Sequence, residues 1–303
     1  MRSPSERDDN LNTAADAYRA RFRRVLDHID AQLDAPLSVE DLGAVAAFSK
    51  YHFHRQFSAW IGMSVFRYVQ LLRLKRASYQ LAFREQSRIL DIALECGYES
   101  NEAFSRAFKR AFALTPSEFR ERPDWEAWRA TYEALKEIRS LHMRPELRAG
   151  DVRLVDFQET RVAALEHRGD PATIEDSIRR FIEWRRQNRL HPKLSATFNV
   201  FWDSPSDTAP ERFRMDLCAA ITGSIPENSH GVVPKTIPGG RCAVLRHVGS
   251  EDTLPESISF LYSQWLPSSG EELRDFPLYL QRVTFFPDVP EHEAITDIFL
   301  PVR

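Results

Sequence analysis

Cysteine is scarce in this chain: Cys96, Cys218 and Cys242 are an odd number with no paired spacing. That argues against a disulfide framework and suits small buried apolar side chains in a reducing compartment. No apolar run approaches the ~18 residues a membrane span requires. The first ten residues, MRSPSERDDN, are polar and contain no apolar signal region. The expectation is a soluble, cytoplasmic protein. Glycine and proline are sparse at first, with only three of 18 Pro and three of 11 Gly before Arg122, so a helical half precedes a turn-rich one. Acidic residues are absent from Lys50 to Arg84, a stretch with seven basic ones. The net charge of −3 hides an asymmetry: residues 1–122 carry 19 Lys/Arg against 16 Asp/Glu, the remainder 22 against 28. A basic half joined to an acidic one suggests a polyanion-binding module fused to something else. At 303 residues, 43% hydrophobic and 28% charged, the chain is ordinary globular material with length for two cores.

The stretch NEAFSRAFKRAFALTPSEFR, Asn101 to Arg120, carries Phe104, Phe108 and Phe112 at i, i+4 and i+8, a narrow apolar stripe on a helix. The opposite stripe holds Glu102, Ser105, Arg106 and Lys109, hydrogen-bonding groups with a positive bias. Such a helix suits a DNA major groove. A solvated basic face would look the same, but this pattern occurs twice. A shift of 51 residues lays Phe53 on Phe104, Arg55 on Arg106, Phe57 on Phe108, Ser64 on Thr115 and Tyr68 on Phe119. The outward stripe recurs as Tyr51, His54, Arg55 and Ser58. Internal repetition of this kind signals duplicated supersecondary units.

The chain around these stripes supports the reading. Phe22, Val25, Leu26, Ile29 and Leu33 predict a helix over 18–34, broken at Asp34-Ala35-Pro36. Ser38 caps a supporting helix with Val39, Leu42, Val45 and Ala46 inward; Ser49 caps the next, Lys50 to Ile61, which Gly62 ends. A helix from about Ser64 to Phe83 follows, roughly 28 Å long at 1.5 Å per residue. That is near the ~34 Å between successive major grooves on one DNA face, so it serves as a spacer. Ile89 to Glu95 supports the second unit, with Gly97 in its turn and Ser100 as cap. His52 and His54, at i and i+2, point to different faces and make no metal site.

Two motifs, LSVEDLGAVAAFSKYHFHRQF and ILDIALECGYESNEAFSRAFKRAFALTPSEFR, make residues 18–122 resemble the AraC/XylS family of transcriptional regulators. The resemblance implies two helix-turn-helix units in one chain on a bent duplex. Carried over by motif, the base-facing residues are Tyr51, His54 and Arg55 in the first unit and Asn101, Glu102, Ser105 and Arg106 in the second. Ser49, Lys50, Ser100, Lys109 and Arg110 are placed for phosphate. The alternative for Arg55 and Arg106 is a structural salt bridge. The chain departs at Ala113, where the family has Gly; a non-Gly residue at positive φ there costs about 1 kcal/mol.

Asp124 to His142 reads as one amphipathic helix with Trp125, Trp128, Tyr132, Leu135 and Ile138 on one side, within a helical linker over 123–150. It either packs on one domain or is partly solvated. After Asp151 the period changes to strands over 152–157, 161–167, 194–202, 213–221, 241–247, 278–286 and 296–302, with helices at 174–190 and 254–265. This half is also duplicated. At an offset of 80, RVAALEHRGDPATIEDSI pairs with RCAVLRHVGSEDTLPESI, giving two strand–helix–strand–strand units and an α+β domain. A cleft between such halves is a natural ligand site. His167 and His247 occupy equivalent places, which suits a shared structural role at a strand end better than acid–base work.

EHRGD, FWDSPSDTAPERFRMDLC, IPGGRCAVLRHVG, QWLPSSG and TDIFLPV make residues 151–303 resemble GyrI-like effector-binding domains, in the domain order of Rob-like AraC members. That implies a pocket for hydrophobic, often cationic, small molecules, lined by aromatics around one Glu. Here Pro277 replaces the usual Glu and Cys242 the usual Tyr. Without the carboxylate a cation preference loses its basis, since an aromatic cage alone adds only ~0.5–2 kcal/mol. Phe157, Trp202, Trp265, Tyr279 and Phe285 are the candidate lining; core packing is the alternative for each.

The expected function is a sequence-specific transcription regulator controlled by a small, largely hydrophobic effector, not an enzyme, with no cofactor and no metal. Double-stranded DNA and RNA polymerase are the expected macromolecular partners, with no membrane. The sequence leaves activator and repressor both open. Two alternatives are a C-terminal domain that binds a protein and no ligand, and a GyrI-like hydrolase fused to a DNA-binding domain, against which the missing Glu argues.

Overall fold

The computed structural model of the protein describes the backbone of residues 4–303 and the side chains of 16–303. The polar opening over residues 1–10 therefore concerns side chains outside the described residues. Residues divide into two units, Met1–Arg144 and Pro145–Arg303. Among the described residues no helix is long and apolar enough to cross a membrane.

The first unit is helical: α1 (Pro4–Ala31), α2 (Val39–Val45), α3 (Lys50–Ile61), α4 (Val65–Phe83), α5 (Ile89–Glu95), α6 (Asn101–Phe112), α7 (Pro116–Glu121) and α8 (Trp125–His142). The 51-residue repeat is visible in its punctuation. Ser64 and Thr115 both cap the following helix through their side chains, and Thr115 forms a reciprocal capping box with Glu118. Gly62 and Ala113 both end the preceding helix in the left-handed region, at φ 83° and 59°. The positive φ expected at Ala113 is present. Ala47, in the turn after α2, is a second alanine in that region at φ 55°.

One core serves the whole unit. Phe53, Phe57, Tyr68, Phe104, Phe108 and Phe119 are fully buried and pack with Phe22, Leu26 and Ile29 of α1. The aromatic face of α8 is in that core: Trp125 stacks on Phe83 at 5.8 Å, and Tyr132 meets Phe112 at 6.0 Å. At the other end of α8, the buried Arg139 guanidinium forks onto Asp30 of α1 at 2.8 and 3.0 Å and donates to the Tyr68 hydroxyl at 3.2 Å. The helix that the sequence assigned to a linker is thus packed over most of its length against the helical unit.

The second unit is one antiparallel sheet with two helices. Its strands are β1 (Val152–Phe157), β2 (Thr160–Arg168), β3 (Thr197–Phe201), β4 (Arg214–Ala220), β5 (Val232–Ile237), β6 (Gly240–Val248), β7 (Tyr279–Arg282) and β8 (Ile295–Pro301). Helix α9 (Ile174–Gln187) follows β2, and α10 (Leu254–Phe260) follows β6. The latter continues through a π turn at Leu261–Trp265 to Ser269. Pro267 has no N–H to give an α-helical ladder, and a wider turn ahead of it accommodates the ring.

The strand order, β1-β6-β8-β7-β3-β4-β2-β5, reads as two equivalent halves about the β7–β3 pair, each lending its first strand to the other's edge. Strand β5 corrects the sequence reading: each repeat is strand–strand–helix–strand–strand. Pro234 disguised it. An edge strand tolerates proline, and β5 pairs with β2 alone.

Alternation along the strands gives the sheet two unlike faces. Leu165, Leu217 and Ala219 pack on Phe181 and Trp184 of α9, while Leu245, Leu280 and Leu300 pack on Phe260, Leu261 and Trp265. The residues between them, Val162, Phe198, Cys218, Cys242, Tyr279 and Phe299 among others, form a separate cluster on the face with no helix.

Candidate functional site

The outward stripes follow from burial. In α3, Phe53, Phe57 and Ile61 anchor the helix, and Tyr51, His54 and Arg55 are exposed, Tyr51 at 76%. In α6, Phe104, Phe108 and Phe112 anchor it, Asn101, Glu102 and Arg106 are exposed, and Ser105 is half-buried. Each buried Phe contributes about 1.5–3 kcal/mol of transfer free energy. Rotating either helix would forfeit several such terms, so the exposed stripe is fixed by the buried one. Among the described residues no ion pair holds Arg55 or Arg106, which leaves both forks available to base edges or phosphates.

Glu102 stays well ionised. Its own backbone N–H, the Ser100 hydroxyl and Arg106 all hold its carboxyl below the ordinary carboxylate range. An ionised carboxylate can accept from a cytosine N4 and repels phosphate.

The phosphate candidates differ among themselves. Lys109 and Arg110 are exposed in the last turn of α6. Lys50 donates to Glu40 of α2 at 2.8 Å, and phosphate would compete with that carboxylate. Ser49 sits at an N-cap position, yet its side chain makes no cap hydrogen bond. Ser100 accepts from the Ala103 N–H at 3.1 Å, so capping already occupies its oxygen.

On the helix-free face of the second unit, Tyr279 lies at the centre of the aromatic cluster. Phe299 stacks on it at 4.9 Å, Phe157 meets it at 5.2 Å and Phe276 at 6.0 Å. Trp202, 39% exposed, joins through Phe276 at 5.9 Å. Phe157, Trp202 and Tyr279 are thus brought together. Trp265 is not: it faces the opposite side of the sheet among Leu261, Leu278 and Leu280, because α10 covers that side. Phe285 lies half-buried in the loop after β7, outside the cluster. Sequence reading missed Phe198, Phe276 and Phe299, although strand alternation puts Phe198 and Phe299 on the Tyr279 face.

It also missed the charges beside them. Asp216 is 1% exposed on this face; Lys235 Nζ reaches both its oxygens at 2.8 Å, and Trp202 Nε1–H donates to it at 2.7 Å. Burial works against the Lys235 charge, but the Asp216 hydrogen bonds and charge prevail and raise its pKa. Lys235 lies 5.8 Å from the Trp202 ring centroid and 3.4 Å from Glu166. In the other half Arg246 forks onto Asp297 at 2.7 and 2.8 Å. A lysine of the chain itself therefore fills the place where an aromatic ring and two carboxylates would otherwise hold a cation.

The two repeated histidines are clamps. His167 and His247 each place Nδ1 2.9 Å from a serine hydroxyl, Ser177 and Ser257, and Nε2 against a backbone carbonyl. A carbonyl only accepts, so Nε2 carries the proton and Nδ1 accepts from the serine. Both rings are buried and tie a strand end to the start of the next helix. Burial also pushes the Cys96 thiol up to about 12, and raises the Cys218 thiol, so both behave as apolar groups.

Residues 150–303 match the GyrI-like small molecule binding domain, and residues 42–122 match a helix-turn-helix domain. The probable transcriptional regulator YgiV of Escherichia coli (strain K12) is 39% identical over 153 residues, covering 50% of this chain and 96% of that protein. The right origin-binding protein of the same organism is 29% identical over 257 residues, covering 81% of this chain and 84% of its own length. Regulatory protein SoxS of Salmonella typhimurium is 34% identical over 106 residues, 35% of this chain and 98% of that one. Among solved structures, the EcmrR C-terminal domain is similar at 17% identity and a TM-score of 0.42, covering 50% of this chain and 96% of that one.

Proposed function

The chain belongs to the AraC-type helix-turn-helix regulators with a GyrI-like small molecule binding domain, and we propose that α3 and α6 read DNA under the control of a small hydrophobic effector bound by the second unit. Regulation of transcription through DNA is the family's work. The residue assignments and the effector are our own reading.

The observation that carries the DNA assignment is the duplicated pair of helices, each with three buried anchors and an exposed polar stripe. We assign Tyr51, His54, Arg55, Asn101, Glu102, Ser105 and Arg106 to base edges, and Lys109 and Arg110 to phosphates. RNA polymerase is the partner such a regulator acts upon. Footprinting of the full chain on duplexes selected from a randomised pool tests the assignment. Two protected major-groove windows support it, and equal protection of scrambled DNA opposes it.

For the effector we propose the helix-free face, with Phe157, Trp202 and Tyr279 joined by Phe198, Phe276 and Phe299. Its buried carboxylates support a ligand that is hydrophobic and not cationic, because Lys235 and Arg246 already neutralise them. The same pairing supports binding over hydrolysis, since neither Asp216 nor Asp297 is left as an unengaged base. Titration of neutral and cationic aromatic compounds against Trp fluorescence, repeated in a DNA-binding assay, tests this. Quenching by neutral compounds that also shifts DNA affinity supports it; turnover of a compound would establish the hydrolase alternative.

A further inference from the structure

Helix α4 joins the two units that carry α3 and α6, so whatever fixes those units to α4 fixes the separation and angle of the two stripes. One α4 side chain touches the backbone on both sides. Arg73 Nε donates to the carbonyl of Leu33 at 2.9 Å and Nη2 to that of Ala35 at 2.8 Å, both in the turn between α1 and α2. Its third donor, Nη1, reaches the carbonyl of Gly97 at 3.0 Å, in the turn between α5 and α6. Three donors of one rigid fork thus span the entrance to the first helix-turn-helix and the turn inside the second, all within the helical unit.

Gly97 is shaped to this fork. Its φ is 72°, and a Cβ there would lie 2.7 Å from the Arg73 Cζ, so a methyl at 97 would displace the fork. Ala47, two residues past the end of α2 as Gly97 is two past the end of α5, has a similar backbone at φ 55° and bears a methyl. The turn alone bears alanine at a cost in strain, and the guanidinium adds a steric reason for glycine at 97. Arg73 is partly buried, and burial lowers its pKa, yet it is held by carbonyls, which take its hydrogen bonds without neutralising its charge. This guanidinium is committed to the backbone.

We propose that Arg73 is a positioning residue that sets the spacing of the two DNA-reading helices, so that it determines which half-site separation the protein accepts. Lysine cannot replace it, because a point ammonium on a flexible stem cannot hold three carbonyls in a fixed plane. The inference rests on the assignment of α3 and α6 as a pair of reading helices.

The test uses the full chain, with a duplex it selects from a randomised pool and versions in which about five base pairs, half a helical turn, are inserted or removed between the half-sites. Wild type should lose at least tenfold in affinity on the altered spacings. Arg73→Met should lose at least tenfold on the native spacing, show a nearly flat spacing profile, and bind an isolated half-site within twofold of wild type. Gly97→Ala, which displaces the fork without deleting it, should flatten the profile in the same way, and Arg73→Lys should restore little of its depth. Retention of the wild-type profile by folded Arg73→Met, or equal loss on half-sites and full sites, would overturn the proposal. A wild type indifferent to the second half-site would instead overturn the two-helix reading on which it rests, and the proposal with it.

Discussion

Arg106 and Lys109 lie one helical turn apart on α6, and their chemistry separates the roles we propose for them. A planar fork on the exposed stripe discriminates bases, whereas an ammonium in the last turn meets any phosphate. Arg106→Ala should weaken binding by ~1–3 kcal/mol at one position of the site and relax preference there. Lys109→Ala should weaken all sequences alike and reduce the salt slope by about one. Affinities on specific and scrambled duplexes across a salt series check both; an equal loss on both duplexes for Arg106→Ala would remove its base-reading role. Ala113 makes a second residue-level case. It is exposed with φ 59°, so Ala113→Gly relieves strain without losing packing and should stabilise the helical unit by about 1 kcal/mol in denaturant melts. His247 supplies a pH dependence. Burial lowers its pKa below 6.5, so the folded state resists the proton that the unfolded chain accepts. Its contribution is complete above about pH 6.5 and is lost as the pH falls below that value. Melts of wild type and His247→Gln between neutral and mildly acid pH should converge as the pH drops.

Among the elements, those with a strong period and a clear cap were legible in the sequence. The bounds of α3 and the start of α6 match the predicted helices because three buried apolar residues at i, i+4 and i+8, Phe53, Phe57 and Ile61 in one and Phe104, Phe108 and Phe112 in the other, leave no other face to bury. What was not legible has a physical reason in each case. Strand β5 carries Pro234, a residue that a central strand rejects and this edge strand admits. Helix α8 shows an apolar stripe but not its partner; only the fold reveals that Arg139 finds Asp30 at a separation of 109 residues. Both side chains are nearly fully buried, so removing one deprives the other of the fork that offsets its buried charge. Asp30→Ala should cost about 3–5 kcal/mol, and Asp30→Leu combined with Arg139→Met should recover much of that loss in the same denaturant assay. Trp265 packs on the helix-covered face, and aromatic content alone does not say which face of a sheet a helix covers.

For the molecule as a whole, the asymmetry of charge follows the division into two units. The basic stretch from Lys50 to Arg84 lies in the helical unit, and the acidic excess lies beyond it. The second unit's helix-free face depends on pairs of residues far apart in sequence, and so was the least legible part of the candidate site. Asp216 and Lys235 are separated by 19 residues and meet only because β2 carries β4 on one side and β5 on the other. If Lys235 is what excludes cations, Lys235→Met should bind cationic aromatic dyes at least tenfold more tightly than wild type, about 1.4 kcal/mol, as read by Trp202 fluorescence. Above all, we propose that one chain reads DNA with two equivalent helices. Guanine N7 methylation protection of the full chain on a selected duplex tests it most directly, because N7 lies in the major groove. Two clusters of protected guanines about one helical turn apart, one of them lost in Arg106→Ala, are the predicted result. A single cluster, or a pattern unchanged by that substitution, would contradict it.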